Sequence, residues 1–204
     1  GWQLTGVPEW LNGDDHFAYV IGYPDDTVRP EHNISRAEVA TIFFRLLTDE
    51  VRSTYLTEEN SFSDVDAGSW YNTEVSTMEA MGVLKGRTQD TFAPDEPITR
   101  AELAAICARF DTSRVDGDSN FSDIQRHWAE EEIEWAALLG WIYGYPDGTF
   151  QPDNNVTRAE TMTMINRVLQ RIPEDESDLL NDMNIWSDND PTEWYYLAVQ
   201  EATN

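Results

Sequence analysis

The chain has 204 residues, 40% apolar and 12% aromatic, enough for a substantial core and inconsistent with a disordered polymer. Its 39 acidic side chains against 13 basic ones set a formal charge of −26, which excludes nucleic acid and anionic membrane as partners and suits a module displayed outside the cell. The single cysteine, Cys107, lies in the apolar run ELAAICARF; it forms no disulfide within the chain and reads as a small buried hydrophobe.

No apolar stretch reaches the roughly 18 residues a membrane helix needs, so no membrane insertion is expected. No signal-peptide pattern is present either, and the opening GWQL reads as the start of a fragment cut from a longer secreted protein. Eight Trp and eight Tyr exceed what a small core requires, and a surplus of this kind often faces a ligand.

In chain order, LNGDDHFAYVI (11–21) leads into GYPDDTVRPEHNISRAE (22–38), and VATIFFRLL continues as a helix. After the polar connector TDEVRSTYLTEEN, the block FSDVDAGSWYNTEVSTMEAMGVL begins at residue 62, its apolar Trp70, Val75, Met78 and Met81 recurring at helical spacing. The spacing predicts a helix of about three turns opened by Trp70 and ended by Gly82. GRTQDTFAPDEPITRAE (86–102) follows, with a second helix through LAAICARF, then the connector DTSRVDGDSN. FSDIQRHWAEEEIEWAALLGWI from 121 repeats the front block, with Trp128, Ile133, Ala136 and Leu139 on the helical face and Gly140 at its end. GYPDGTFQPDNNVTRAE (144–160) and the helix TMTMINRVL come next. The connector QRIPEDESDLLNDMN then precedes a last front block, WSDNDPTEWYYLAVQEATN (186–204).

Three turn-and-helix segments thus align without a gap, which is the signature of a repeat. The chain reads as one domain over 1–204 holding units 11–50, 62–111 and 121–170, with the front helix of the first unit supplied by 186–204. Each unit is helix, loop, helix, with a short extended pair near the turn; the fold class is mainly all-α. One two-helix unit cannot bury its apolar faces alone, so the three must pack together.

Ser35 with Glu38, Thr99 with Glu102 and Thr157 with Glu160 are capping boxes: the hydroxyl accepts from the backbone N–H three residues on, and the glutamate reaches back. Each cap contributes about 1 kcal/mol. Arg36, Arg100 and Arg158 are not explained by capping, since a cation at the first helical position opposes the helix dipole. Two partners fit: a carboxylate of a neighbouring unit, such as the FSD aspartate, or an anionic ligand held by the guanidinium beside unpaired helix N–H groups. A second recurrent set, Arg45, Arg109 and Arg167, lies nine residues later, where a cation favours the helix end; it reads as a cap or an inter-unit salt bridge.

The pattern FSD…W…GYPDGTF.P…TRAE, carried three times over residues 11 to 204, resembles the S-layer homology module of bacterial surface proteins. The resemblance implies three repeats packed as a pseudo-threefold, three-pronged spindle, monomeric, secreted and displayed at the cell wall or S-layer. It further implies non-covalent anchoring through pyruvylated secondary cell wall polysaccharide bound in grooves between repeats. Arginine suits the pyruvate carboxylate and Trp or Tyr the apolar face of the sugar. The ligand-binding candidates carried over are Arg36, Arg100 and Arg158; Asp64, Asp123 and Asp188 from the FSD positions; Trp70, Trp128 and Trp194; and Tyr23 and Tyr145, with Arg87 in the second unit. The tryptophans can also be read as helix-packing anchors. The second unit departs from the pattern, losing tyrosine, proline and glycine while adding Arg87, which is expected to change its groove. With this module, Arg158→Ala is expected to weaken wall binding while sparing the fold.

Modified peptidoglycan or a protein partner is the alternative ligand for the same module. A calcium-dependent interaction module is a further alternative, drawn from clusters such as DVD, DGD and SDND, although none has the EF-hand spacing. His16, His32 and His127 occupy non-equivalent positions and no nucleophile and base are paired, so neither enzyme, metal site nor cofactor is expected.

Overall fold

The computed structural model describes residues 6–204, so the opening GWQL lies outside the described residues. Three helices begin at the capping boxes: α1 Arg36–Leu46, α4 Arg100–Phe110 and α6 Arg158–Val168. In each, the Ser or Thr side chain accepts from the N3 backbone N–H and the N3 glutamate accepts from the cap's own N–H. The front blocks form α3 Asn72–Ala80, α5 Glu130–Leu138 and α7 Tyr196–Ala202. α2, Asp49–Tyr55, and a 3-10 turn at Glu176–Asp178 complete the helical elements among the described residues. The class is mainly all-α, as expected; the extended pairs are isolated bridges, Ser35 with Pro97, Thr99 with Asn155 and Asn33 with Thr157.

Two local expectations are corrected. The front helices are nine residues or shorter and start two residues beyond Trp70, Trp128 and Trp194, which sit in the preceding turn and stand 63%, 59% and 67% exposed. Within the helices the fully buried apolar positions include Val75, Ile133 and Val199. The first connector is not featureless: Thr48 caps α2 by accepting from the Val51 N–H, and Asp49 and Glu50 suit its positive end. Tyr55 then packs on Trp10 with ring centroids 5.7 Å apart.

The helices pack in a repeating relation, α3 on α1, α5 on α4 and α7 on α6, with α4 also touching α6. Phe43 of α1 stacks on Phe110 of α4 at 5.2 Å, both fully or almost fully buried. Cys107 is fully buried in α4, and burial pushes its thiol up to about 12, which makes it inert.

The first-turn N–H groups, which a helix cannot satisfy internally, are met by the next segment's loop. Arg36 and Ala37 donate to the carbonyls of Glu96 and Pro94, and Arg100 and Ala101 to those of Asn154 and Pro152. Arg158 and Ala159 donate to those of His32 and Pro30, returning from the last segment to the first.

The loops are held from behind by the FSD aspartates. Asp64 accepts from the N–H groups of Phe92 and Ala93, and Asp123 from those of Phe150 and Gln151, all at 2.8 Å. Asp188 does the same for Val28 and Arg29, 160 and 159 positions away in sequence. Ala93, Gln151 and Arg29 all adopt φ between 52° and 59°, a region side chains disfavour, so each clamp holds a strained residue. The glycine opening each turn has a packing reason: a Cβ on Gly22 would lie 2.1 Å from the Trp186 ring and one on Gly144 2.3 Å from Phe121.

Candidate functional site

The helix positions that follow the capping box build three grooves. In α1, Glu38, Thr41, Ile42 and Arg45 recur at the three- and four-residue spacing of one helix face; in α4 the same face carries Glu102, Ile106 and Arg109, and in α6 Glu160, Thr163, Met164 and Arg167. The front block that packs on each helix adds an exposed tryptophan, and the turn after a front helix adds the opposite rim.

Groove 1 holds about 130 Å³ and is lined by the α1 face with Val20, Ile21, Trp70 and Arg158. Groove 2, about 720 Å³, combines the α4 face with Arg36, Lys85, Arg87, Trp128 and Glu132. Groove 3, about 340 Å³, combines the α6 face with Arg100, Tyr143, Tyr145 and Trp194. Trp70 and Trp194 meet the following tyrosines edge-on at 5.1 and 5.4 Å, which fixes each ring beside its groove while leaving most of it in solvent.

The arginines that follow the caps are buried at the groove floors, 3% to 5% exposed. Arg36 pairs with Glu102, donates from Nε to the Phe92 carbonyl and reaches the Lys85 carbonyl. Arg100 pairs with Glu160 at 3.2 Å and bonds the carbonyls of Phe150 and Tyr143. Arg158 pairs with Glu38 at 2.7 Å and bonds the Val28 carbonyl. Of the two partners the sequence left open, a carboxylate of a neighbouring unit is present, but it is the capping-box glutamate rather than the FSD aspartate. The helix N–H groups beside the arginines are also occupied by the loop carbonyls above. These contacts tie segment to segment, so the expectation that Arg158→Ala spares the fold gives way to one of lost stability.

Asp64, Asp123 and Asp188 do not line the three grooves, and both oxygens of each are committed to backbone N–H groups. Tyr145 lines groove 3, its ring 4.8 Å from the Arg100 guanidinium. The ring of Tyr23 is covered by Arg29 at 3.6 Å, with Arg158 at 5.1 Å on it as well. Arg87, which stands where the other turns have tyrosine, donates to Glu102 at 3.0 Å and to the Pro97 carbonyl at 2.6 Å. Burial pushes the Glu102 carboxyl up, but the Arg87 hydrogen bond and the Arg36 charge outweigh it and hold its pKa below the ordinary value.

Sequence reasoning left Arg45, Arg109, Arg167, Lys85 and Tyr143 out of the site. The signal for the three arginines was available: each lies seven residues after a capping-box glutamate, on the same helix face. Arg45 and Arg109 also donate to the carbonyls of Tyr19 and Val83, which supports the cap-and-bridge reading for part of their role. Lys85 is the chain's single lysine and rims the largest groove. Among the described residues, no group of three or more His, Cys, Asp or Glu side chains is placed to hold a metal ion, and no helix is long and apolar enough to cross a membrane.

The S-layer homology domain family matches residues 18–40, 61–104 and 120–162, which include the three helix starts and the Asp64 and Asp123 clamps described above. The cell surface glycoprotein 1 of Acetivibrio thermocellus is 41% identical over 83% of this chain and 8% of its own length. The cellulosome-anchoring protein of the same organism is 34% identical over 82% of this chain and 39% of its own length. An S-layer protein of Bacillus licheniformis is 31% identical over 81% of this chain and 20% of its own length. The chain spans well under half the length of these curated relatives. The family match covers more than half of the chain and falls on all three segments; the chain belongs to the S-layer homology domain family.

Proposed function

We propose that this module holds its parent protein on the bacterial cell wall by binding pyruvylated secondary cell wall polysaccharide in the three grooves. Anchoring at the cell surface, without catalysis, follows from family membership; the polymer, its pyruvate and the grooves as its site are the proposal. The observation that carries it is the concentration of cations. Arg45, Arg158, Arg36, Lys85, Arg87, Arg109, Arg100 and Arg167 line the grooves, eight of the 13 basic residues in a chain with 39 acidic ones. An exposed tryptophan stands beside each set. A planar ring beside a guanidinium suits a sugar that carries a carboxylate, the ring taking the C–H face and the guanidinium the acid.

The unit boundaries belong to the same proposal: 11–50 completed by 186–204, 62–111, and 121–170, packed as a pseudo-threefold monomeric spindle. The clamp of Asp188 on Val28 and Arg29 supports the assignment of the C-terminal block to the first unit. Purified cell walls are expected to pull the protein down before, and not after, acid extraction of the secondary polymer. Retention on extracted walls would instead favour peptidoglycan or a wall protein.

A further inference from the structure

The three grooves share one plan but not one charge, and the difference lies four residues beyond each groove tryptophan. Trp70 and Trp128 are followed at that distance by Glu74 and Glu132, whereas Trp194 is followed by Ala198. The front helix carrying this position packs on the helix that carries the groove's outer arginine. In groove 2, Glu132 comes within 3.8 Å of Arg109. In groove 1, the charge of Glu74 acts on Arg45, although burial is the larger influence on that arginine. One Glu74 oxygen is buried with no hydrogen-bond partner among the described residues.

In groove 3 the helix presents Ala198, whose carbonyl accepts from Asn166 beside Arg167. Among the described residues, no carboxylate lies within 4.0 Å of Arg167. Its guanidinium rests on the Tyr143 ring, 3.9 Å from the centroid. Burial lowers its pKa, Tyr143 opposes that, and the like charge of Arg100 adds to it. Among the described residues this half-buried cation has neither the nearby carboxylate of Arg109 nor the backbone carbonyl acceptors that Arg45 and Arg109 have. Glu160, the groove's own acid, is engaged by Arg100.

We infer that groove 3 is the chain's strongest site for an anionic group, with Arg167 as the residue that binds it and Ala198 as the position that leaves Arg167 free. Glu132 acts in groove 2 as a built-in competitor, which a ligand carboxylate must displace. Groove 2 keeps its size and the Lys85 ammonium, but an exposed point charge is screened by solvent and holds a carboxylate less firmly than a half-buried guanidinium. This inference rests on the acidic-glycan reading above and adds which groove takes the acid and why.

The test uses the whole chain with 15N-labelled tryptophan and a soluble hexopyranoside carrying a 4,6-linked pyruvate ketal. The indole signals of Trp70, Trp128 and Trp194 are assigned through single Trp→Phe variants. The Trp194 signal is expected to respond at the lowest ketal concentration, and Ala198→Glu to weaken that response at least tenfold with an unchanged melting temperature. Ala198→Gln, of similar size but neutral, is expected to keep most of the affinity, separating charge from bulk. Glu132→Ala is expected to strengthen the Trp128 response several-fold. A first response at Trp70 or Trp128, or a Trp194 response untouched by Ala198→Glu, would overturn the inference while leaving the glycan reading intact. A ketal that perturbs none of the three indoles removes the glycan reading and this inference with it.

Discussion

Arg100→Ala is expected to destabilise the fold by about 3–5 kcal/mol, the cost of breaking a buried ion pair and leaving its partners exposed to a cavity. Arg100 is 5% exposed, pairs with Glu160 and satisfies the carbonyls of Phe150 and Tyr143, which belong to the next segment. Its guanidinium also lies over the Tyr145 and Phe150 rings, 4.8 and 4.6 Å from their centroids. An alanine leaves two carbonyls unsatisfied and removes the packing of the stem as well as the charge. Urea unfolding reads the loss as a lower midpoint at unchanged slope. Arg158→Ala should follow the same direction with a smaller cost of about 2–3 kcal/mol, because the Glu38 side chain it leaves behind is 35% exposed and can rehydrate. A stability change under about 0.5 kcal/mol for both would return these arginines to a ligand-only role.

Asp188→Ala is expected to cost about 3 kcal/mol, since a carboxylate accepting two backbone N–H groups makes two charge-assisted bonds of about 1.5 kcal/mol or more each. Its loss also frees Arg29 from φ 52°, a conformation the clamp maintains. Asp188→Asn, which keeps one good acceptor, should recover about half of the loss. Amide exchange distinguishes a local effect from a global one: protection at Val28 and Arg29 should fall furthest, because their N–H groups lose their acceptors. Equal loss across all three segments would mean that the clamp matters only to global stability.

Local structure was legible wherever the controlling residues are neighbours. The Ser/Thr-x-x-Glu boxes place the starts of α1, α4 and α6 because both halves of a capping box lie within four residues. Gly82 and Gly140 end the front helices at φ 78° and 79°, again a local requirement. The periodicity reading failed at Trp70 and Trp128, which lie five residues before Val75 and Ile133, off the three- and four-residue spacing of the stripe. The partner of Arg36 was not legible for a different reason: Glu102 is 66 positions away and meets it only once one segment docks on the next.

The grooves were half legible. Their tryptophans stood out by type and recurrence; the outer arginines share a helix face with the capping-box glutamates, but a cation also suits a helix end, so that shared face did not by itself mark a cleft. The FSD aspartates show the converse error. Recurrent acids near recurrent arginines suggested a pair, yet the carboxylates had a nearer demand to meet in loop N–H groups held at unfavourable dihedrals.

On the proposal above, buried arginines join segments and exposed groove tryptophans meet the wall polymer. The most direct test is the triple variant Trp70→Ala, Trp128→Ala, Trp194→Ala, measured side by side for affinity to polymer-bearing cell walls and for melting temperature. Removing three exposed rings, each contributing about 1 kcal/mol of stacking, should weaken binding roughly a hundredfold while the melting temperature stays within a few degrees. Unchanged wall affinity in a folded triple variant would contradict the assignment of the grooves as the anchoring site.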